Sequence, residues 1–170
     1  MLAVLAAVAS ISRIPFAIIP SVQPATFMII ITGMVFGKES GFIVGALTAL
    51  VSNLFLGQGP WTPWQMFAWG MIGFCSGLFR KTWLMKTMAG RILFGFTTGF
   101  LFSWMMNIWV VLTVLQEFQL AQIVLIYGSS FLFDLAHALA NVFFLILFSQ
   151  RMINTLKRFQ QKYGILLLEK

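Results

Sequence analysis

Residues 121–149 read AQIVLIYGSSFLFDLAHALANVFFLILFS, a run with one aspartate, one histidine and neither lysine nor arginine. The hydrocarbon core of a bilayer is about 30 Å thick, so a helix that rises about 1.5 Å per residue needs about 20 residues to cross it. The run is long enough and unbroken, whereas the strands of a membrane β-barrel alternate apolar and polar residues. It predicts a transmembrane helix.

Five further apolar runs precede this one, and each ends at proline, glycine or charged residues. Together they predict six transmembrane helices, at about residues 2–14, 25–36, 40–56, 64–79, 91–115 and 121–149. The breaks are residues 15–24, 37–39, 57–63, 80–90 and 117–119. We therefore expect an all-α integral membrane bundle in one domain, residues 1–150, and a basic, partly amphipathic tail on the cytoplasmic membrane surface, residues 151–170.

The composition supports a membrane location. Of the 170 residues, 60% are hydrophobic and only 9% are charged, whereas a soluble domain has about 25% charged residues. Nineteen phenylalanines and six tryptophans suit lipid contacts and the aromatic belts at the two membrane surfaces.

The positive charges lie at the ends of the predicted spans. Ten of the eleven lysines and arginines alternate onto one side of a six-span bundle, and Arg13 is the exception. The positive-inside rule then places both termini in the cytoplasm. The same rule explains the net charge of +7, so we do not expect nucleic-acid binding.

Small residues recur at intervals of three or four on three spans. They are Gly41, Gly45 and Ala49, then Gly70, Gly73 and Gly77, then Gly95 and Gly99. Such residues let helix backbones approach closely in lipid, so these sets predict packing inside the bundle.

The first span carries a further small-residue pair, Ala3 and Ala7, with Ala6, Ala9 and Ser10 beside it. This surface has two interpretations that the sequence alone leaves open. It packs inside the bundle, or it is a flat docking face for a second membrane subunit.

Asp134, His137 and Asn141 share one helical face of the last span, because they are spaced by three and four residues. Polar groups inside a membrane tend to face the bundle interior or a cavity. The pair Asp134 and His137 is compatible with a structural hydrogen-bonded unit, with ligand contacts, or with proton transfer or catalysis. No partnered nucleophile or metalloprotease motif accompanies it, and the single Cys75 gives no metal cluster. We predict no catalytic residue, no metal site and no covalently bound cofactor.

The loop before the fourth span is rich in tryptophan, glycine and proline. Trp61, Trp64 and Trp69 lie in or near it with Gln58 and Gln65, and the fifth span carries Trp104, Asn107 and Trp109 near its middle. The rings could form an interface belt. Alternatively, rings and amides together could form a site for a neutral polar ligand.

These features resemble a known family. The residues that carry the resemblance are Ala3-xxx-Ala7, the Arg13 to Pro15 exit from the first span, Pro20-Ser21-Val22-Gln23-Pro24, Gly41-Phe42-xx-Gly45-Ala46, and the Gly57 to Gln65 loop. With six short spans, the chain resembles the substrate-binding S components of energy-coupling factor (ECF) transporters, over nearly its whole length.

The resemblance implies a function in a bacterial plasma membrane. An S component binds a vitamin at its outer face and docks through the alanines of its first helix, here Ala3 and Ala7. The partners it implies are a transmembrane scaffold subunit of the EcfT type and two cytoplasmic ATPases. ATP would bind there, since this chain has no GxxxxGK[ST] phosphate loop; the chain itself would not be an enzyme.

The outer loops and outer span halves are the expected substrate site. The candidate residues are Arg13, Gln58, Trp61, Trp64, Gln65, Trp104, Asn107, Asp134 and His137. An outer face rich in tryptophan and nearly uncharged suits a large neutral ligand with amide groups, and the loop is most similar to the cobalamin branch. We therefore predict cobalamin, with riboflavin and pyridoxine-type compounds as alternatives.

Two other functional classes remain open. An intramembrane enzyme would use Asp134 and His137. A solitary channel or proton-coupled carrier would need no ATPase, although no inverted repeat relates the two halves of the chain.

Overall fold

The computed structural model describes residues 1–114 and 119–163. These residues form helices joined by short turns, and there is no strand among them. The helices are α1 (Leu2–Ile11), α2 (Ala25–Phe36), α3 (Lys38–Leu56), α4 (Thr62–Leu78), α5 (Trp83–Lys86), α6 (Met88–Val114) and α7 (Leu120–Tyr163), with 3-10 turns at Ile14–Phe16 and Phe79–Lys81. The all-α class is therefore confirmed for the part of the chain that is described.

The single residue Gly37 separates α2 from α3, and five residues that begin with Gly57 separate α3 from α4. Gly37 and Gly57 have φ angles of 97° and 116°, in a region that favours glycine because it has no Cβ atom. Lys38 and Glu39, which we predicted in a turn, instead form the start of α3. The fixed φ of Pro63 suits the first turn of α4.

The last two long helices also differ from the predicted spans. The segment 80–90, predicted as a connector, contains α5 and the first turn of α6. Helix α7 runs for 44 residues without interruption through the predicted domain boundary at residue 150. The predicted turn at Glu117 and the end of the tail, including Lys170, lie outside the described residues.

Close backbone approaches hold α2, α3 and α4 together. A Cβ atom on Gly41 would lie 2.3 Å from the carbonyl oxygen of Gly73, and one on Gly45 would lie 2.4 Å from that of Trp69. The second tight pair is α6 with α7, where a Cβ on Gly99 would lie 2.5 Å from the Cα of Ala138. The prediction that these small residues pack inside the bundle is confirmed.

Helix α2 lies at the centre, and ten of its twelve residues are buried. Large apolar side chains are exposed on the outside of the bundle, among them Leu54, Leu112, Leu125 and Leu132. By length and composition alone, three helices among the described residues can cross a membrane: Lys38–Leu56, Met88–Thr113 and Leu120–Tyr163. Two shorter apolar helical segments accompany them: Leu2–Phe16, which is α1 together with the following 3-10 turn, and Ala25–Phe36, which is α2. The chain is a multi-pass membrane protein.

The two faces of α1 differ. Ala6, Ala9 and Ser10 are buried against the bundle, so for these three residues the structure agrees with the first of the two interpretations, packing inside the bundle. Ser10 uses its hydroxyl inside the bundle, donating to the carbonyl of Ala6 at 2.7 Å. Ala3 is exposed and Ala7 is partly exposed, which leaves this pair on the outer face.

Candidate functional site

A polar cluster occupies one end of the bundle, where α1 and α3 end and α2 and α4 begin. We use the name polar cluster for Arg13, Thr26, Asn53, Gln65, Trp69 and His137. All but Arg13 are buried, and Arg13 is partly exposed. The cluster joins five segments of the chain that are far apart in sequence.

Arg13 lies at the centre of this cluster. Its Nε donates a hydrogen bond to Oε1 of Gln23 at 2.7 Å, and its Nη1 donates to Oδ1 of Asn53 at 3.1 Å and to the hydroxyl of Ser52. The guanidinium lies over the Trp69 ring, 4.7 Å from the ring centre. Within the described residues its Nη2 makes no hydrogen bond, so a donor is available there for a bound molecule.

Asn53 carries the network from Arg13 into α4. Its Nδ2 donates to Oε1 of Gln65 at 2.8 Å and to the hydroxyl of Thr62 at 3.1 Å. Because Nδ2 donates to it, Oε1 of Gln65 is the acceptor atom of that amide. The Gln65 Nε2 group remains as a donor.

Trp69 connects Arg13 to α2 and α7. Its Nε1 donates to the hydroxyl of Thr26 at 3.0 Å, and that hydroxyl lies 3.0 Å from Nε2 of His137. The ring of Phe102 stacks on Trp69, with ring centres 5.0 Å apart, and meets His137 edge-on. A hydroxyl that accepts from Trp69 can still donate its own hydrogen to His137, so Thr26 satisfies both buried rings.

Asp134 and Asn107 form a second polar group next to the polar cluster. Asp134 is buried and accepts a hydrogen bond from the Ser130 hydroxyl at 3.1 Å, and that hydroxyl accepts one from Nδ2 of Asn107 at 2.7 Å. Asp134 and His137 are not hydrogen-bonded to each other in the described residues. This geometry gives them separate partners instead of the base and orienting group of a catalytic unit.

Most of the residues predicted around the tryptophan-rich loop and on the facing part of α6 lie at the surface. Trp61 and Trp104 are 40% and 47% exposed, and Gln58 is exposed and donates to the carbonyl of Leu50 at 3.1 Å. Trp64 is the exception, because its Nε1 donates to the carbonyl of Met105 and joins α4 to α6. Of the predicted site residues, Arg13, Gln65 and His137 meet in one network, while Gln58, Trp61 and Trp104 do not.

An open cavity of about 360 Å³ lies beside the polar cluster, and Arg13 and Gln23 line it together with the segment that joins α1 to α2. It is of the size that small-molecule sites have. Sequence reasoning did not propose Gln23, Ser52 or Thr26 as site residues, and it named Trp69 only as one of the rings around the loop. Hydroxyls and amides in short apolar segments give no signal of which face they occupy, although the placement of Gln23 between two prolines was visible.

Taken together, the chemical groups of the polar cluster suit the binding of a small molecule. The cluster combines a guanidinium, amides, hydroxyls and stacked rings, which suits a flat ligand with polar edges.

A family model described as "ECF-type riboflavin transporter, S component" matches residues 1–158. No solved structure matches the chain. The match supports the S component class that the sequence resembles, and it does not support the cobalamin branch. Because it extends over most of the 170 residues, the chain belongs to the family of ECF-type riboflavin transporter S components.

Proposed function

We propose that this protein captures riboflavin, or a close flavin relative, at the end of the bundle that holds the polar cluster. The observation that carries the proposal is this cluster, at one end of a chain whose family is named for riboflavin. Riboflavin replaces cobalamin as the preferred ligand, and it was one of the two alternatives from the sequence.

The chemistry of the polar cluster suits a flavin. An isoalloxazine ring is flat, uncharged and edged with carbonyls and ring nitrogens, and its ribityl chain carries hydroxyls. Arg13 and Gln65 offer donors, and Trp69 with Phe102 shows that stacked rings are stable in this region. The cavity beside Arg13 would be the entrance, and Trp64, Asn107 and Asp134 would line the deeper part of the site.

The topology in this proposal comes from the sequence, and the partners come from the resemblance to S components. Six spans, with both termini in the cytoplasm of a bacterial cell, would put the polar cluster on the outer side. A transmembrane scaffold subunit and two ATPases would drive release of the vitamin inward, so this chain would perform no catalysis itself.

Identification of the bound molecule tests the ligand. The full chain is purified in detergent from cells grown in rich medium and denatured, and the released compound is characterised by absorbance and mass. We expect a yellow flavin at close to one equivalent. A red corrinoid would restore cobalamin, and a protein that is empty and binds neither compound in calorimetry would contradict the proposal.

A second test concerns docking through α1. Ala3 is exposed, so Ala3→Trp should leave the fold and flavin binding intact, because the new ring points away from the bundle. It should abolish ATP-driven uptake in cells that contain the scaffold and the ATPases, since a flat small-residue face is needed for close helix contact. The matched control is Ala121→Trp, at an exposed alanine on α7. Equal uptake by the two variants would show that Ala3 and Ala7 are not the docking face.

A further inference from the structure

A basic pocket lies at the end of the bundle opposite the polar cluster. It has a volume of about 240 Å³ and is formed by the turn between α2 and α3 and by the end of α4. The charged side chains that line it are Lys38, Arg80, Lys81 and Glu39. Three cations against one carboxylate leave a local charge of +2.

Two backbone features shape this pocket. Gly77 of α4 packs closely against the turn, since a Cβ atom on it would lie 2.3 Å from the backbone nitrogen of Lys38. Helix α3 begins in the pocket, and no side chain caps its N-terminus. The free N–H groups and the helix dipole therefore add to the attraction that Lys38, Arg80 and Lys81 exert on an anion.

An apolar groove begins where the basic pocket ends. It has a volume of about 460 Å³ and runs between α3 and α4, lined by Phe42, Ile43, Met71 and Phe74, and it shares Glu39 with the pocket. The Lys38 ammonium lies 5.6 Å from the centre of the Phe74 ring. A positively charged pocket is thus continuous with an apolar surface of a membrane protein.

We propose that the pocket and the groove together bind one anionic phospholipid, with its phosphate among Lys38, Arg80 and Lys81 and an acyl chain between α3 and α4. Lipid is the occupant because the groove is apolar along its length, while a soluble phosphate would use only the basic pocket. Glu39 forms an ion pair with Lys38 at 3.8 Å and also lines the site. Its carboxylate disfavours a lipid headgroup that carries a second negative charge.

The test measures lipid binding to the full chain in a neutral detergent by native mass spectrometry, with phosphatidylglycerol added stepwise. Removing a cation near a lipid phosphate costs about fivefold in affinity, so Arg80→Gln/Lys81→Gln should weaken binding about 25-fold. The matched control is Lys157→Gln/Arg158→Gln, which removes two exposed cations from the far part of α7 and should change nothing. Equal loss in both double variants would overturn the site.

Two further comparisons separate the possible ligands. Ile43→Ser, in the groove, should weaken phosphatidylglycerol binding, while Leu54→Ser, at another exposed position on α3, should not. Inorganic phosphate and phosphatidylcholine should stabilise the protein less than phosphatidylglycerol at equal concentration. Equal stabilisation by inorganic phosphate would mean a free-anion site, and equal stabilisation by phosphatidylcholine would mean that charge is irrelevant; either result overturns the proposal. The flavin site does not enter these measurements.

Discussion

Arg13 and Arg91 lie at opposite ends of the bundle and are built into it differently. Arg91 is 5% exposed and bonds within the α6 and α7 pair: Nε to the carbonyl of Thr87 at 3.2 Å, and Nη1 to the Ser149 hydroxyl at 3.0 Å. Arg13 bonds to a loop and to α3, lies over Trp69 and borders a cavity. Neither has a carboxylate among its hydrogen-bond partners in the described residues.

These different surroundings indicate different roles for the two arginine side chains. A guanidinium that has a partner at each of its three nitrogens holds two packed helices together, since removing it leaves buried acceptors unpaired. A guanidinium with a donor left over beside an opening can give that donor to a ligand. We therefore propose a role in ligand binding for Arg13 and a role in stability for Arg91.

The largest effect expected from this comparison is on flavin affinity in Arg13→Ala. A hydrogen bond to a charged group contributes about 1.5–3 kcal/mol, so the dissociation constant should rise roughly 10- to 100-fold. Arg91→Ala should keep wild-type affinity in its folded fraction and should lower the thermal midpoint. The measurement is quenching of flavin fluorescence on titration of monodisperse protein, with thermal unfolding recorded in parallel.

Arg13→Lys is the companion variant, because lysine keeps the charge and loses the planar fork that reaches Gln23 and Asn53 together. It should fold as the wild type does and recover only part of the affinity. If Arg13→Ala and Arg91→Ala weakened flavin binding equally, the assignment of different roles would fail.

The sequence predicted much of the helical framework. The bounds predicted for the second span coincide with α2, because proline and glycine stand at its two ends. The start of α3 was predicted two residues late, since a lysine and a glutamate next to a glycine are typical of both a turn and a first helical turn. The continuation of α7 to Tyr163 was missed because the span was ended at Ser149, where the apolar run stops, and charged residues after an apolar run do not by themselves end a helix.

The site was predictable only in part, for a physical reason. A polar side chain inside an apolar segment must find a partner, which is why Arg13, Gln65 and His137 were proposed and do form a network. Trp61 and Trp104 were proposed on other grounds, because rings offer a stacking face to a ligand, but such rings are also stable at a membrane surface. Thr26 was not proposed, because a threonine hydroxyl can form its hydrogen bond with a backbone carbonyl of its own helix and so gives no signal of a site.

A substitution of Thr26 therefore tests the difference between the Arg13 end and the Arg91 end of the bundle more specifically, although its expected effect is smaller than that of Arg13→Ala. Thr26→Val keeps the shape of the side chain and removes the hydroxyl that joins Trp69 to His137. Two buried ring nitrogens lose their partner, so we expect a loss of about 1–3 kcal/mol in stability and a severalfold loss in flavin affinity, because Trp69 is no longer held under Arg13.

Ser149→Ala is the matched change at the opposite end, since it removes one buried hydroxyl that accepts from Arg91. Arg91 keeps its bonds to the carbonyl of Thr87 and to Gln150, so the loss in stability should be smaller and flavin affinity should not change. Chemical unfolding monitored by tryptophan fluorescence and flavin titration measure the two quantities on the same samples. A Thr26→Val protein that lost stability but bound flavin like the wild type would place Trp69 and His137 in the scaffold of the bundle, and it would confine the binding role to Arg13 and the residues around the cavity.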